Sequence, residues 1–120
     1  NKEKIKKGLR GFMANIYKKA NTDLITGTQK DVYVVPSNSR SLVKSIHIYN
    51  EGAGDAVVTI KIESTGVTYF YQKKTIAADA HHEFIVNILV LEENDKLKML
   101  SDITGPDITV SLLEMNREDR

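Results

Sequence analysis

The chain has 120 residues, of which 41% are hydrophobic and 28% charged, and a formal net charge of +1. That length suits one domain with its own hydrophobic core, since metal or disulfide staples become necessary only below about 40 residues. No cysteine is present, which excludes a disulfide framework, a thiolate nucleophile and thiolate metal ligands among these residues.

The small net charge conceals two regions of opposite sign. Residues 1–19 hold seven cations (Lys2, Lys4, Lys6, Lys7, Arg10, Lys18, Lys19) against Glu3, a balance of +6. Residues 20–120 hold ten cations against fifteen anions, a balance of −5. Ile5, Leu9, Phe12, Met13 and Ile16 fall at spacings that allow an apolar helical stripe. Gly8, Gly11 and Asn15 weaken that helix. Residues 1–24 are therefore predicted to be a basic N-terminal arm, a short helix or an extended segment, that orders on contact with a partner. Its expected contact residues are Ile5, Leu9, Arg10, Phe12, Ile16, Lys18 and Lys19.

Residues 25–120 read as one β domain. Asp31–Val35 is β-rich and stops at Pro36-Ser37-Asn38-Ser39. Leu42–Tyr49 follows and ends at Asn50-Glu51-Gly52-Ala53-Gly54-Asp55, a loop rich in residues that accept positive φ. Val58, Ile60 and Ile62 alternate with Thr59, Lys61 and Glu63, the pattern of a half-buried strand. Ser64-Thr65-Gly66 turns the chain into Val67–Gln72, and Ala77-Ala78-Asp79-Ala80 makes a corner. Glu83–Leu91 is apolar on both faces, so one strand is expected there, with Phe84, Val86 and Ile88 at or near a subunit interface. Lys96–Leu100 and Ile108–Leu113 complete about seven strands, separated by the turns at 92–95 and 101–107. Turn signals at that spacing predict an all-β antiparallel β-sandwich and not a βαβ unit.

Candidate chemistry is sparse. His81 and His82 are sequence neighbours, so in a strand they point to opposite faces and cannot share a metal, and His47 stands alone in its strand. Glu92, Glu93, Asn94 and Asp95, with Asp55 or Asp102, are the one set of oxygens to weigh for Ca²⁺, but their spacing is not that of an EF-hand loop. There is no G-x-S-x-G elbow and no phosphate-binding loop, and Gly52-Ala53-Gly54 lies between two strands and not before a helix. No catalytic residue, metal site, cofactor or small-molecule substrate is assigned. No apolar stretch approaches the roughly 18 residues of a membrane-spanning helix. The basic arm is the one element suited to nucleic acid, where contact would be non-specific and salt-dependent.

Tyr33-Val34-Val35-Pro36, the turn to Arg40, and Leu42-Val43-Lys44-Ser45-Ile46-His47-Ile48-Tyr49-Asn50 resemble small virion structural proteins of tailed bacteriophages. Thr75–Asp79, Leu91–Leu97 and the opening Met13–Lys19 are similar to segments of the same proteins, so the resemblance covers about residues 13–115. Two features depart from it: Asn94-Asp95 stands in place of a Gly-Asp turn, and residues 1–12 precede the common start. The resemblance implies a jelly-roll-like sandwich used in many copies in head decoration, neck, tail or fibre. Its partners would be itself and other virion proteins, in a particle assembled in the host bacterial cytoplasm. A carbohydrate- or receptor-binding module is the alternative, and a nucleic-acid-binding accessory protein using the arm is a third reading.

Overall fold

The computed structural model describes residues 13–117. Among these residues nine strands are arranged in two antiparallel sheets: β1 (Met13–Asp23), β2 (Lys30–Val34), β3 (Ser39–Asn50), β4 (Ala56–Ser64), β5 (Val67–Ile76), β6 (His81–Glu83), β7 (Leu89–Leu91), β8 (Lys96–Ser101) and β9 (Pro106–Arg117). One sheet runs β1-β9-β3-β6, with β7 also pairing β3, and the other runs β2-β8-β4-β5. Counting β6 and β7 as halves of one interrupted strand gives eight strands in two four-stranded sheets. Sequence neighbours mostly lie in opposite sheets, which is the jelly-roll connectivity.

Alternation along each strand builds the core. From β3 come Val43, Ile46 and Ile48, and from β9 Ile108, Val110 and Leu112; Val58 and Ile60 of β4 and Leu97 and Met99 of β8 face them from the other sheet, all fully or almost fully buried. Ser64 pairs with Val67, leaving Thr65-Gly66 as a two-residue turn in which both residues have positive φ (49° and 81°). Such a turn matches the twist of the strands it joins. At the opposite end of the sandwich, the loops after β3 and β8 touch through glycines. A Cβ added to Gly105 would lie 2.8 Å from Gly52 Cα.

Two expectations change. Of the two conformations left open for Met13–Asp23 the extended one holds, but the segment is an edge strand of the sandwich and not a separate arm: it pairs residue for residue with β9 from Met13 opposite Arg117 to Asp23 opposite Asp107. Edge pairing along eleven residues outweighs a helical stripe that glycines already weaken. Residues 1–12 lie outside the described residues. The second change concerns Glu83–Leu91, which is not one strand. Glu83 pairs with His47 and Leu89 with Val43, so residues 44–46 of β3 face the five residues 84–88. The surplus loops out. Glu83 fixes the break, its carboxylate accepting the backbone N–H groups of Ile46 (2.8 Å) and Ile85 (3.0 Å) and the Ser45 hydroxyl. These bonds outweigh burial, which alone would raise its pKa, and hold the Glu83 carboxyl below the usual carboxylate range.

Candidate assembly interface

The central cross-strand rows on the outer faces of the two sheets differ in kind. On β9 the buried residues Ile108, Val110, Leu112 and Glu114 face inward, so Thr109, Ser111, Leu113 and Met115 face out. Register sets Leu113 opposite Tyr17 of β1 and Leu42 of β3, and Leu42 opposite Val90 of β7. The apolar row Tyr17–Leu113–Leu42–Val90 thus crosses the whole sheet on its outer side. Tyr17 is 74% exposed and Val90 about half exposed, and Lys44 Nζ lies 4.9 Å from the centre of the Tyr17 ring.

The outer face of the second sheet is laced with charge. Asp31, Lys98, Lys61 and Phe70 form the corresponding cross-strand row. Lys98 Nζ lies 2.8 Å from Asp31 and 3.5 Å from Glu63, while Lys96 lies 3.8 Å from Glu63. The hydrogen bond to Asp31, opposed by partial burial, leads the causes that raise the Lys98 pKa. Each such pair contributes little, but a face built this way is comfortable in water. The apolar row is the one that gains from being covered.

At the far edge of the apolar face the looped-out segment carries Val86, 91% exposed, and Ile88, 53% exposed. Phe84, at the root of the same loop, is 1% exposed and belongs to the core, where its ring meets His82 edge-on at 4.7 Å. Gln72 donates to the Phe84 carbonyl at 2.7 Å and pins the loop root to β5. The expectation that Phe84 takes part in an interface is therefore corrected, because the break in the strand turns it inward and leaves Val86 and Ile88 outside.

The arm residues separate in the same way. Ile5, Leu9, Arg10 and Phe12 lie outside the described residues. Ile16 is 42% exposed. Lys19 is exposed on the outer side of β1. Lys18 points the other way, and its Nζ meets the buried Glu114 carboxylate at 2.8 Å. Tyr33 Oη donates to Glu114 at 2.6 Å and lies 2.7 Å from the Ser41 hydroxyl. This network ties β1, β9, β2 and β3 together where the apolar core ends. Burial alone would raise the Glu114 pKa, but the bonds from Lys18 and Tyr33 and the charge of Lys18 prevail and lower it. Burial, then the bond to Glu114, pushes the Tyr33 hydroxyl well above the ordinary phenol range.

Other groups also find definite places. His47 Nε2 and His81 Nδ1 lie 3.2 Å apart on the outer face of β3 and β6, a pairing across strands that no local spacing reveals. Asp95 is buried and caps its own turn, accepting the Glu92 N–H at 2.9 Å, and Glu92 pairs with Arg40. Asp102 accepts the Val57 N–H at 2.7 Å. Among the described residues, no group of three His, Cys, Asp or Glu is placed to hold a metal ion.

No family model and no curated protein matches the chain. Solved structures do. A protein of the Bacillus endospore appendages, a family of disulfide-linked pili, aligns with a TM-score of 0.55 at 15% identity, over 92% of this chain and 94% of that one. The fold is shared with a phage capsid. A chain of the acid-stable capsid of Helicobacter pylori bacteriophage KHP30 also aligns at 0.55, with 11% identity, over 87% of this chain and 89% of that one. A chain of the T13 IBDV viral particle aligns at 0.55 with 9% identity, over 86% of this chain and 31% of its own length. At these identities the likeness is one of fold.

Proposed function

We propose that the chain is a non-enzymatic structural subunit of a bacteriophage virion, assembling in multiple copies through its sandwich and its N-terminal segment. The observation that carries this reading is the apolar row Tyr17–Leu113–Leu42–Val90 on the outer face of one sheet, where the corresponding row of the other sheet is Asp31–Lys98–Lys61–Phe70. A jelly roll shared with a phage capsid chain, together with the segments at 13–115 that resemble tailed-phage virion proteins, supports the same reading. The likeness to a disulfide-linked pilus protein is of the same depth, but this sequence has no cysteine with which to form such links. Assembly of these residues therefore uses no disulfide, and covering apolar surface contributes about 25 cal/mol per Å². Itself and other virion proteins are the partners, in a particle built in the host bacterial cytoplasm.

The test is electron microscopy and light scattering of the full chain beside a variant lacking residues 1–12. Deletion of residues 1–19, the natural choice from sequence, would cut through β1 and strip the edge of β9. Regular oligomers that loosen on removal of residues 1–12 support the reading, and unchanged oligomers would make that segment dispensable. The carbohydrate- or receptor-binding alternative has one feature in its favour: Tyr69 and Phe70 are exposed on edge strand β5, with Lys61 Nζ 4.9 Å from the Phe70 ring centre. Micromolar glycan binding lost in Phe70→Ala would select that alternative.

A further inference from the structure

We infer that copies of this chain join head to tail through opposite edges of the β1-β9-β3-β6 sheet, the Val86–Ile88 loop of one copy seating beside Tyr17 of the next. This deepens the subunit reading and rests on it.

Both patches are exposed and apolar, and they lie on opposite edges of one sheet. Tyr17 belongs to β1, which pairs only with β9 among the described residues, while the loop lies between β6 and β7, which pair only with β3. The two edges that carry them differ in charge. Tyr17 is flanked by Lys19 and covered by Lys44. The segment Asp79–Asp95 contains Asp79, Glu83, Glu92, Glu93 and Asp95 and neither lysine nor arginine. Asp95 is spent as a turn cap, Glu92 on Arg40 and Glu83 on backbone N–H groups. Glu93 and Asp79 remain as exposed carboxylates at the two ends of that edge, each seven residues from Val86, Asp79 with only a 3.4 Å contact from Tyr49 Oη.

Pairing either patch with itself across a two-fold axis would bring like charges together, whereas pairing one with the other brings cations to carboxylates. Complementary patches at different places on the subunit make a heterologous contact, which closes into a ring when the rotation allows. The interrupted strand then has a purpose: the two surplus residues at 84–88 lift Val86 clear of the sheet.

The test uses the full chain with Tyr17→Glu, which sets a carboxylate against the acidic edge, and Val86→Lys, which sets a cation against the basic one. Both side chains are exposed, and circular dichroism verifies that the fold is kept; Tyr17→Ser and Val86→Ser are the milder pair if either charge change unfolds the protein. Light scattering is expected to show each variant alone falling to the mass of one chain. An equimolar mixture is expected to recover two chains or more, because an intact Tyr17 patch from one variant meets an intact Val86 loop from the other. An oligomer unchanged by Val86→Lys would overturn the inference and leave the subunit reading standing. A mixture that stays at one chain would overturn it as well, and a wild-type chain that is monomeric at every concentration would overturn both.

Discussion

Asn50 is fully buried at the end of β3, and its side chain ties the 51–55 loop to the end of β5. Its Nδ2 donates to the carbonyls of Gly54 (2.8 Å) and Ile76 (2.9 Å), and its Oδ1 accepts the Gly52 N–H (3.0 Å). Its backbone receives Asp79 N–H and donates to the Ala80 carbonyl, fixing the corner from which β6 departs. In Asn50→Ala the buried Ile76 carbonyl loses its partner, at about 1–3 kcal/mol, and the two half-buried bonds add about 1 kcal/mol each. A loss of about 4 kcal/mol in a domain of this size lowers Tm by about 15–20 °C. Thermal unfolding followed by circular dichroism, at one fixed protein concentration, measures it. Asn50→Asp keeps the shape and the acceptor but removes both donors and buries a charge, so it should cost at least as much as alanine. If alanine shifts Tm by less than about 4 °C, or aspartate is tolerated, this account of the loop end is wrong.

Phe84→Ala should cost about 3–5 kcal/mol, read from denaturant midpoints, because the ring is core despite its place at the root of an exposed loop. Val86→Ala, two residues on, should be within about 0.5 kcal/mol of wild type in the unassembled chain. Gly105→Ala puts a Cβ 2.8 Å from Gly52 Cα at a φ of 142°, and calorimetry should show a loss of about 2–4 kcal/mol. Glu83 and Glu114 both titrate below their ordinary value of 4.5 when folded, so their stabilisation is complete above that pH and is lost as pH falls through the lower folded values. Urea titrations should show stability falling below about pH 4.5, and Glu114→Gln should flatten the fall; an unchanged slope would show that Glu114 is not responsible.

Alternation made most of the sandwich legible. Val58-Ile60-Ile62 and Ile108-Val110-Leu112 declare their strands because one face is wet and one dry. The turns at Thr65-Gly66 and Asn94-Asp95 were equally readable from residues that accept positive φ, and Thr65, Gly66 and Asn94 do take it up. Met13–Asp23 was obscured because five successive residues, Asn15–Lys19, are exposed along an edge, so no buried face stamps a period of two on the sequence. Glu83–Leu91 misled for the opposite reason: an unbroken apolar stretch reads as a strand, and what breaks it is a carboxylate capping backbone groups of its own loop and of β3. Of the expected interface, Val86 and Ile88 stand where a partner could reach them, Phe84 turns into the core, and Lys18, though exposed, is engaged by Glu114, a partner distant in sequence. The apolar row itself needed the cross-strand register, which places Tyr17, Leu42, Val90 and Leu113 side by side.

The central claim is that this chain is a repeating subunit, and the most direct measurement is the mass of the full chain in solution by light scattering over a wide concentration range. A single closed oligomer, such as a trimer, pentamer or hexamer, persisting on dilution is the result expected of a sandwich with an apolar row across one outer face. A mass of one chain at every concentration would contradict it.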